Sequence, residues 1–150
     1  MRLGEFLRKD FVIGDLTSTD KAMVLAELVA PVVAIYPDVD PGKALRVLLD
    51  RENLGSTGIG DGVAIPHGKM DSLKEIVIVA GRSRAGIDFE ALDHKPCRIF
   101  FLVLAPEHVA GMHLRILAQI SRLLSDEGFR GAFLGAADLD SLWDVLSRHA

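Results

Sequence analysis

The chain has 150 residues, 49% of them hydrophobic, and a formal net charge of −4 at pH 7. This composition excludes a disordered chain, and the length fits one domain, residues 1–150, with one core. The absence of a basic block argues against sequence-independent binding to nucleic acid, which depends on clustered Lys and Arg. A single cysteine excludes an internal disulfide framework and a cysteine-based zinc site.

Neither a membrane span nor a secretory leader is predicted. The most apolar early segment, residues 24–35, is interrupted by Glu27 and Pro31 and is too short to cross a bilayer. Residues 1–5 lack the apolar core of a signal peptide. We therefore expect a cytoplasmic protein that does not insert into a membrane.

Helices are predicted in the first third of the chain. Residues 1–16 predict a short helical turn and then a short extended piece. Residues 17–20 (Thr-Ser-Thr-Asp) predict the start of a first helix, with hydroxyl groups as caps and an acid in the first turn. Pro31 either kinks or ends this helix. Asp40 is the expected N-cap of a second helix, with proline at its first position, and Gly55 ends it.

A glycine-rich stretch follows at residues 54–69, with the sequence LGSTGIGDGVAIPHGK. Glycine permits positive φ and close backbone approach, so such a loop can aim several backbone N–H groups at one anion. A short strand over residues 63–65 is predicted to lead to His67. A histidine in this position can act as a nucleophile, an acid, a base or a metal ligand.

The second half of the chain predicts a covered sheet. Residues 76–80 and 99–104 are continuous apolar runs, typical of strands buried on both faces, and residues 87–89 predict a short edge strand. Three helices are predicted after them, over residues 111–125, over residues 129–134 and from the cap Asp138 onward. This order predicts an α/β fold: a mixed β-sheet sandwiched between helices on both faces, in three layers.

The third helix is predicted to carry a histidine on an inward face. His113 lies one turn before Ile116 and Leu117, at the start of the face that turns towards the core. Leu114 is placed in the apolar set of the same helix.

Known nucleotide-binding motifs do not fit the glycine stretch. The triplet Gly-x-Gly-x-Gly at residues 58–62 is followed by Val63 where the dinucleotide fingerprint needs a small residue, and residues 68–70 lack the hydroxyl of a phosphate loop. No two histidines are spaced as zinc ligands on a helix, and no Gly-x-Ser-x-Gly pattern supports a serine nucleophile. We expect neither a metal nor another cofactor.

The remaining interpretation makes His67 itself the nucleophile. A histidine with a pKa of about 6.5 is largely neutral at neutral pH and can attack phosphorus. A phosphohistidine site needs hydrogen-bond donors and a cation for the phosphoryl oxygens, and a group that orients the imidazole. The residues that can supply donors and charge are Ser56, Thr57 and Gly58 in the loop, Arg51 as a planar cation, and His113 at a helix N-terminus.

Residues 51–68 resemble the phosphorylation-site signature of the enzyme IIA domains of the bacterial sugar phosphotransferase system. The branch is the fructose/mannitol type, which includes the nitrogen-regulatory enzyme IIA, and the resemblance continues through residues 89–96 and around His113. It implies a phosphotransferase that carries phosphate on His67, with His113 stabilising the phosphoryl group and Arg51 beside it. It also implies a mixed sheet with helices on both sides.

The resemblance implies protein partners as well. The phosphate donor would be the phosphocarrier HPr or its nitrogen-branch counterpart, and transport members pass the group to a cysteine of an enzyme IIB. We expect a chain that stands alone, with no fused IIB segment, and its Pro-His-Gly-Lys run resembles the regulatory branch. We therefore favour a regulatory component linked to nitrogen, carbon or potassium metabolism, which acts on a transporter or a kinase.

Several alternatives stay open on the sequence. One is a transport-linked enzyme IIA for fructose or mannitol uptake, and another is a module that senses an anion without being phosphorylated. Individual residues also have structural interpretations. Arg51 can cap its own helix, His113 can be a core histidine, and Ser56 and Thr57 can be turn residues that bond their own backbone.

Overall fold

Five α-helices form within residues 2–150, the part of the chain that the computed structural model describes; Met1 of the predicted segment 1–16 lies outside it. They are α1 (Lys21–Ile35), α2 (Pro41–Asn53), α3 (Ala110–Leu124), α4 (Glu127–Gly135) and α5 (Leu139–His149). Short 3-10 turns occupy Leu3–Phe6, Lys9–Phe11 and Glu107–Val109. Among residues 2–150, no helix has the length and apolar character needed to cross a membrane.

Aspartate side chains begin four of the helices. Each accepts a hydrogen bond from a backbone N–H of the first turn, which satisfies donors that the helix itself leaves free. The four residues are Asp20, Asp40, Asp126 and Asp138. The predicted caps Asp40 and Asp138 are confirmed, and Pro31 lies inside α1 without ending it. The hydroxyl cap predicted for α1 was wrong, because the carboxylate of Asp20 caps this helix and the hydroxyls of Thr17 and Ser18 bond to Glu27.

Six strands form one mixed sheet. They are β1 (Val12–Ile13), β2 (Gly58–Gly60), β3 (Val63–Ala64), β4 (His67–Lys69), β5 (Val77–Ile87) and β6 (Cys97–Ala105). The order is β1-β5-β6-β3-β2, with β4 also paired to β6. Strand β6 runs antiparallel to β5 and parallel to β3 and β4. The predicted mixed sheet and its two long strands are confirmed.

Helices cover both faces of this sheet. Residues of β6 alternate between the faces, as strand geometry requires. Phe100, Leu102 and Leu104 belong to the core shared with α1 and α2, and Phe101 and Val103 to the core shared with α3, α4 and α5. The predicted three layers are therefore confirmed, and burial on both faces explains why the run at residues 99–104 is continuously apolar.

Two local predictions were wrong. Ile87 is the last residue of β5 and Asp88 makes only a single bridge to Asp20, so residues 87–89 form no strand of their own. Leu114 is 69% exposed, because the buried positions of α3 are His113, Ile116, Ile120 and Leu124. Their spacing of three or four residues defines one helical face, from which Leu114 is rotated by about 100°.

Candidate functional site

His67 is the first residue of β4, next to a break in the sheet edge. β3 and β4 pair with β6 in the same register, Val63 with Ile99 and His67 with Val103, so they form one strand line interrupted at residues 65–66. Pro66 has no N–H for the ladder, but its carbonyl accepts a hydrogen bond from Val103 N at 2.9 Å. The short strand predicted to lead to the histidine is β3, and His67 itself belongs to the sheet.

The residue after the histidine lets a helix approach closely. A Cβ on Gly68 would lie 2.5 Å from Cγ1 of Val47 in α2, a separation that packed carbon atoms do not reach. Glycine at this position therefore allows α2 to pack directly against β4. This packing brings the C-terminal turn of α2, which contains Arg51, beside His67.

One backbone hydrogen bond sets the orientation of the His67 ring. Nδ1 lies 2.8 Å from the carbonyl oxygen of Ile65, and because a carbonyl only accepts, Nδ1 carries the proton and donates. Nε2 is then the nitrogen with the free lone pair. Burial lowers the pKa of His67, and the charge of Arg51 acts in the same direction, against the bond to Ile65 and the charge of Glu52. The ring is consequently neutral and nucleophilic at neutral pH.

His113 faces His67 from the first turns of α3. The ring centroids are 5.8 Å apart and the rings are nearly perpendicular, at 83°. His113 is 5% exposed, and among residues 2–150 its buried Nε2 has no hydrogen-bond partner. Burial lowers the pKa of His113, followed by the charges of His67 and Lys69. Buried polar atoms are normally paired, so this nitrogen is a candidate to form a hydrogen bond with a bound ligand.

Arg51 joins the glycine-rich loop to the histidine pair. Its Nη1 donates to the carbonyl oxygen of Gly55 at 2.9 Å, which supports the end of α2 as the capping interpretation expects. That bond occupies one of the five N–H donors of the guanidinium group. Arg51 therefore serves the loop and also lines the same cavity as the two histidines.

The three residues surround a cavity of about 590 Å³. Its other polar lining comes from Asp50 and Lys69, and its apolar lining includes Leu54 and Leu114, which are 84% and 69% exposed. Lys69 adds a second cation that the sequence analysis did not assign to the site. A signal was available, since residues two apart on a strand point to the same face and Lys69 follows His67 at that spacing.

The predicted loop donors lie outside the cavity. Backbone N and Oγ1 of Thr57 both donate to the buried carboxylate of Glu52, and Gly58 N donates to Oγ of Ser56 at 3.1 Å. Gly58 is held against Ala91, where an added Cβ would approach to 2.8 Å. The structure thus brings Arg51, His67 and His113 together, while the donors of Thr57 bond to Glu52 in α2 and that of Gly58 bonds to Ser56.

Among residues 2–150 there is no group of three or more His, Cys, Asp or Glu side chains arranged to hold a metal ion. Around one cavity the arrangement places the free Nε2 of His67, two cations and a buried imidazole nitrogen that has no hydrogen-bond partner within the described part of the chain. Such a site suits a doubly charged anion held beside the imidazole.

Residues 5–149 match the family model described as phosphoenolpyruvate-dependent sugar phosphotransferase system, EIIA 2. The chain belongs to this family. The nitrogen regulatory protein of Bradyrhizobium diazoefficiens is 35% identical to this EIIA 2 protein over 147 residues, covering 98% of this chain and 95% of the relative. The fructose-specific EIIABC component of Bacillus subtilis is 34% identical over 149 residues; the match covers 99% of this chain, which spans 24% of that relative's length.

Solved structures agree with the family. Nitrogen regulatory protein IIA-Ntr from Neisseria meningitidis superposes with a TM-score of 0.88 at 28% identity, covering 96% of this chain and 98% of that one. The complex of enzyme IIA mannitol and phosphorylated enzyme IIB mannitol from Escherichia coli contains a chain with the same fold. Its TM-score is 0.79 at 19% identity, and the match covers 95% of this chain and 97% of the other. The family and fold expected from residues 51–68 are confirmed.

Proposed function

We propose that this EIIA 2 protein accepts a phosphoryl group on Nε2 of His67, in the cytoplasm, from HPr or its nitrogen-branch counterpart. The observation that carries the proposal is the hydrogen bond from Nδ1 to the Ile65 carbonyl, which leaves Nε2 as the attacking nitrogen. His113, Arg51 and Lys69 line the cavity in which this nitrogen acts.

The transfer is a substitution at phosphorus. The lone pair of Nε2 forms the new P–N bond while the bond from phosphorus to the donor's leaving atom breaks and returns its electron pair to the donor. His67 keeps its proton on Nδ1, so the ring gains positive charge as the bond forms. The Ile65 carbonyl already accepts from that N–H, and it stabilises the ring as the charge develops.

The surroundings of His67 stabilise the phosphoryl oxygens. In the tautomer that carries its proton on Nε2, His113 donates a hydrogen bond from this nitrogen to a phosphoryl oxygen. The nitrogen is buried, and a hydrogen bond is stronger in a buried place than in water. Arg51 and Lys69 contribute positive charge. The N-terminal end of α3 also favours an anion, because its free N–H groups and the helix dipole give it a partial positive charge. Ser56, Thr57 and Gly58 contribute by shaping the loop that holds Arg51 and Ile65 in place.

Labelling tests the proposal directly. Incubation with phosphoenolpyruvate, enzyme I and HPr, or the nitrogen-branch pair, is expected to add one phosphate that is labile in acid and stable in base. His67→Ala is expected to abolish the label. His108→Ala, which removes an exposed histidine outside the cavity lining, is the matched control and is expected to label fully. Labelling of His67→Ala at the wild-type rate would refute the assignment.

We further propose that the phosphate acts mainly as a regulatory switch. The match to a nitrogen regulatory protein over nearly the full length of both chains supports this role. A phosphoryl group adds negative charge to the cavity beside the exposed side chains of Leu54 and Leu114, which changes how a transporter or kinase docks there.

The alternative is a relay to an enzyme IIB cysteine, which the match to a fructose-specific EIIABC component supports. Mixing the labelled protein with candidate IIB domains separates the two roles. Movement of the label to a cysteine supports the relay, and stable label with altered binding to a transporter or kinase supports the switch. Tight calorimetric binding of a phosphorylated metabolite without any labelling would instead support an anion sensor.

A further inference from the structure

A buried carboxylate, Glu52, lies next to Arg51 in α2 but takes no part in the transfer step described above. The whole residue is 5% exposed, and both carboxylate oxygens accept hydrogen bonds. Oε1 accepts from Thr57 N at 3.0 Å, and Oε2 accepts from Thr57 Oγ1 at 2.5 Å. A charge in such a place is unfavourable unless it is paired and hydrogen-bonded, so the local structure is built around this interaction.

The countercharge comes from the beginning of α1. Lys21 Nζ lies 3.1 Å from Oε1 of Glu52, and the two side chains are 13% and 2% exposed. The same ammonium group lies 4.8 Å from the centre of the Phe89 ring, a favourable cation–π contact. Lys21 thereby ties the first turn of α1 to the last turn of α2.

Two further hydrogen bonds connect this ion pair to the nucleophile. The Thr57 carbonyl accepts from Ile65 N at 3.1 Å. The Ile65 carbonyl accepts from His67 Nδ1 at 2.8 Å. Glu52 therefore holds Thr57 in place, Thr57 holds Ile65, and Ile65 selects the tautomer of the imidazole.

We infer that Glu52 is a positioning residue, which acts through Thr57 and Ile65 to keep the His67 ring in the tautomer whose Nε2 can attack phosphorus. The inference rests on the proposed function and extends it to a residue outside the cavity. It accounts for the placement of Thr57, whose donors point away from the phosphoryl site and towards the carboxylate. A misplacement of the ring by about 1 Å is enough to slow a transfer that requires in-line attack by about 100-fold.

The test uses variants that change the carboxylate and its first partner separately. Glu52→Gln keeps the size of the side chain and removes its charge, and Glu52→Ala removes all of its contacts. Thr57→Val removes the hydroxyl and Thr57→Ser restores it. Glu90→Gln is the matched control, since Glu90 is an exposed carboxylate that lines the same cleft as Lys21 and Glu52.

Two measurements are made on each variant. Nitrogen-15 NMR of the imidazole reports which nitrogen of His67 carries the proton, and rapid-quench labelling reports kcat and KM for phosphate transfer from the phosphocarrier. Glu52→Gln and Glu52→Ala are expected to mix the tautomers and to lower kcat by about tenfold or more, with KM for the carrier unchanged. Thr57→Val is expected to show a smaller loss, Thr57→Ser to recover it and Glu90→Gln to match wild type.

A general loss of stability would not produce this pattern, because it changes neither the tautomer of the folded protein nor kcat alone. If Glu52→Ala fails to fold, Glu52→Gln and the Thr57 pair still decide the matter. A wild-type tautomer and a wild-type kcat in Glu52→Gln and Thr57→Val would overturn the inference. If wild type itself takes no phosphate, the proposed function fails, and the tautomer alone then decides the role of Glu52.

Discussion

Gly68→Ala is expected to destabilise the protein because it pushes α2 away from the strand that contains His67. The new methyl group would lie 2.5 Å from Cγ1 of Val47. Valine in a helix is confined to one side-chain rotamer, so it cannot easily turn away. Overpacking of this kind costs about 1–3 kcal/mol, and alanine offsets about 0.4–1 kcal/mol of it by restricting the unfolded chain. We expect a net loss of about 1–2 kcal/mol.

Urea denaturation of a double-mutant cycle measures this effect. Val47→Ala alone removes two partly buried methyl groups, worth about 0.8 kcal/mol each at most. It also makes room for the new methyl, so Gly68→Ala with Val47→Ala is expected to be more stable than Gly68→Ala alone. The matched control is Gly131→Ala in α4, where an added Cβ meets nothing within 4 Å and the expected change is a gain of about 0.5–1 kcal/mol.

The same variants also test the effect of this packing on the labelling rate of His67. If α2 carries Arg51 to the site, Gly68→Ala is expected to slow labelling of His67, and Val47→Ala is expected to restore part of the rate. Additivity of the two stability changes to within about 0.5 kcal/mol would refute the packing argument. So would a Gly68→Ala protein as stable as wild type.

Three other predictions concern the histidine pair. His113→Ala is expected to lower the labelling rate about 100-fold, because it removes a buried donor to the phosphoryl group. Rapid quench measures the rate, and circular dichroism is expected to show that the variant still folds. A labelling rate within twofold of wild type would contradict this role of His113. Both histidines have pKa values lowered by burial. Between the unfolded-state pKa of about 6.5 and the lower folded-state pKa, the unfolded chain binds more protons than the folded one, so the free energy of unfolding is expected to fall as the pH drops through this window. Urea titrations should show the fall in wild type and a flatter profile in His67→Gln with His113→Gln; equal slopes would contradict it. Phosphorylation of His67 is expected to raise the pKa of His113, because the phosphoryl charge favours the imidazolium form, and NMR titration of both forms checks this shift.

Much of the secondary structure could be predicted because its determinants lie within a few residues of each other. Asp40 and Asp138 cap helices through N–H groups two or three residues away. The apolar runs that became β5 and β6 are continuous because helices cover both faces of the sheet. The inward face of α3 was harder to assign, because the apolar residues of this helix are spread around most of its circumference. Only the packing shows that Leu114 is exposed.

The sequence by itself determined the family, the helix caps Asp40 and Asp138, the two buried strands and the identity of Arg51, His67 and His113 as candidates. Each follows from a local pattern or from the long signature at residues 51–68. The tertiary structure decided which atoms meet. It placed the proton of His67 on Nδ1 through the Ile65 carbonyl and turned Thr57 towards Glu52 instead of the cavity. It also left Nε2 of His113 without a hydrogen-bond partner among residues 2–150. These contacts join α2, α3 and the sheet, and their distances depend on how the elements pack, which no local spacing specifies.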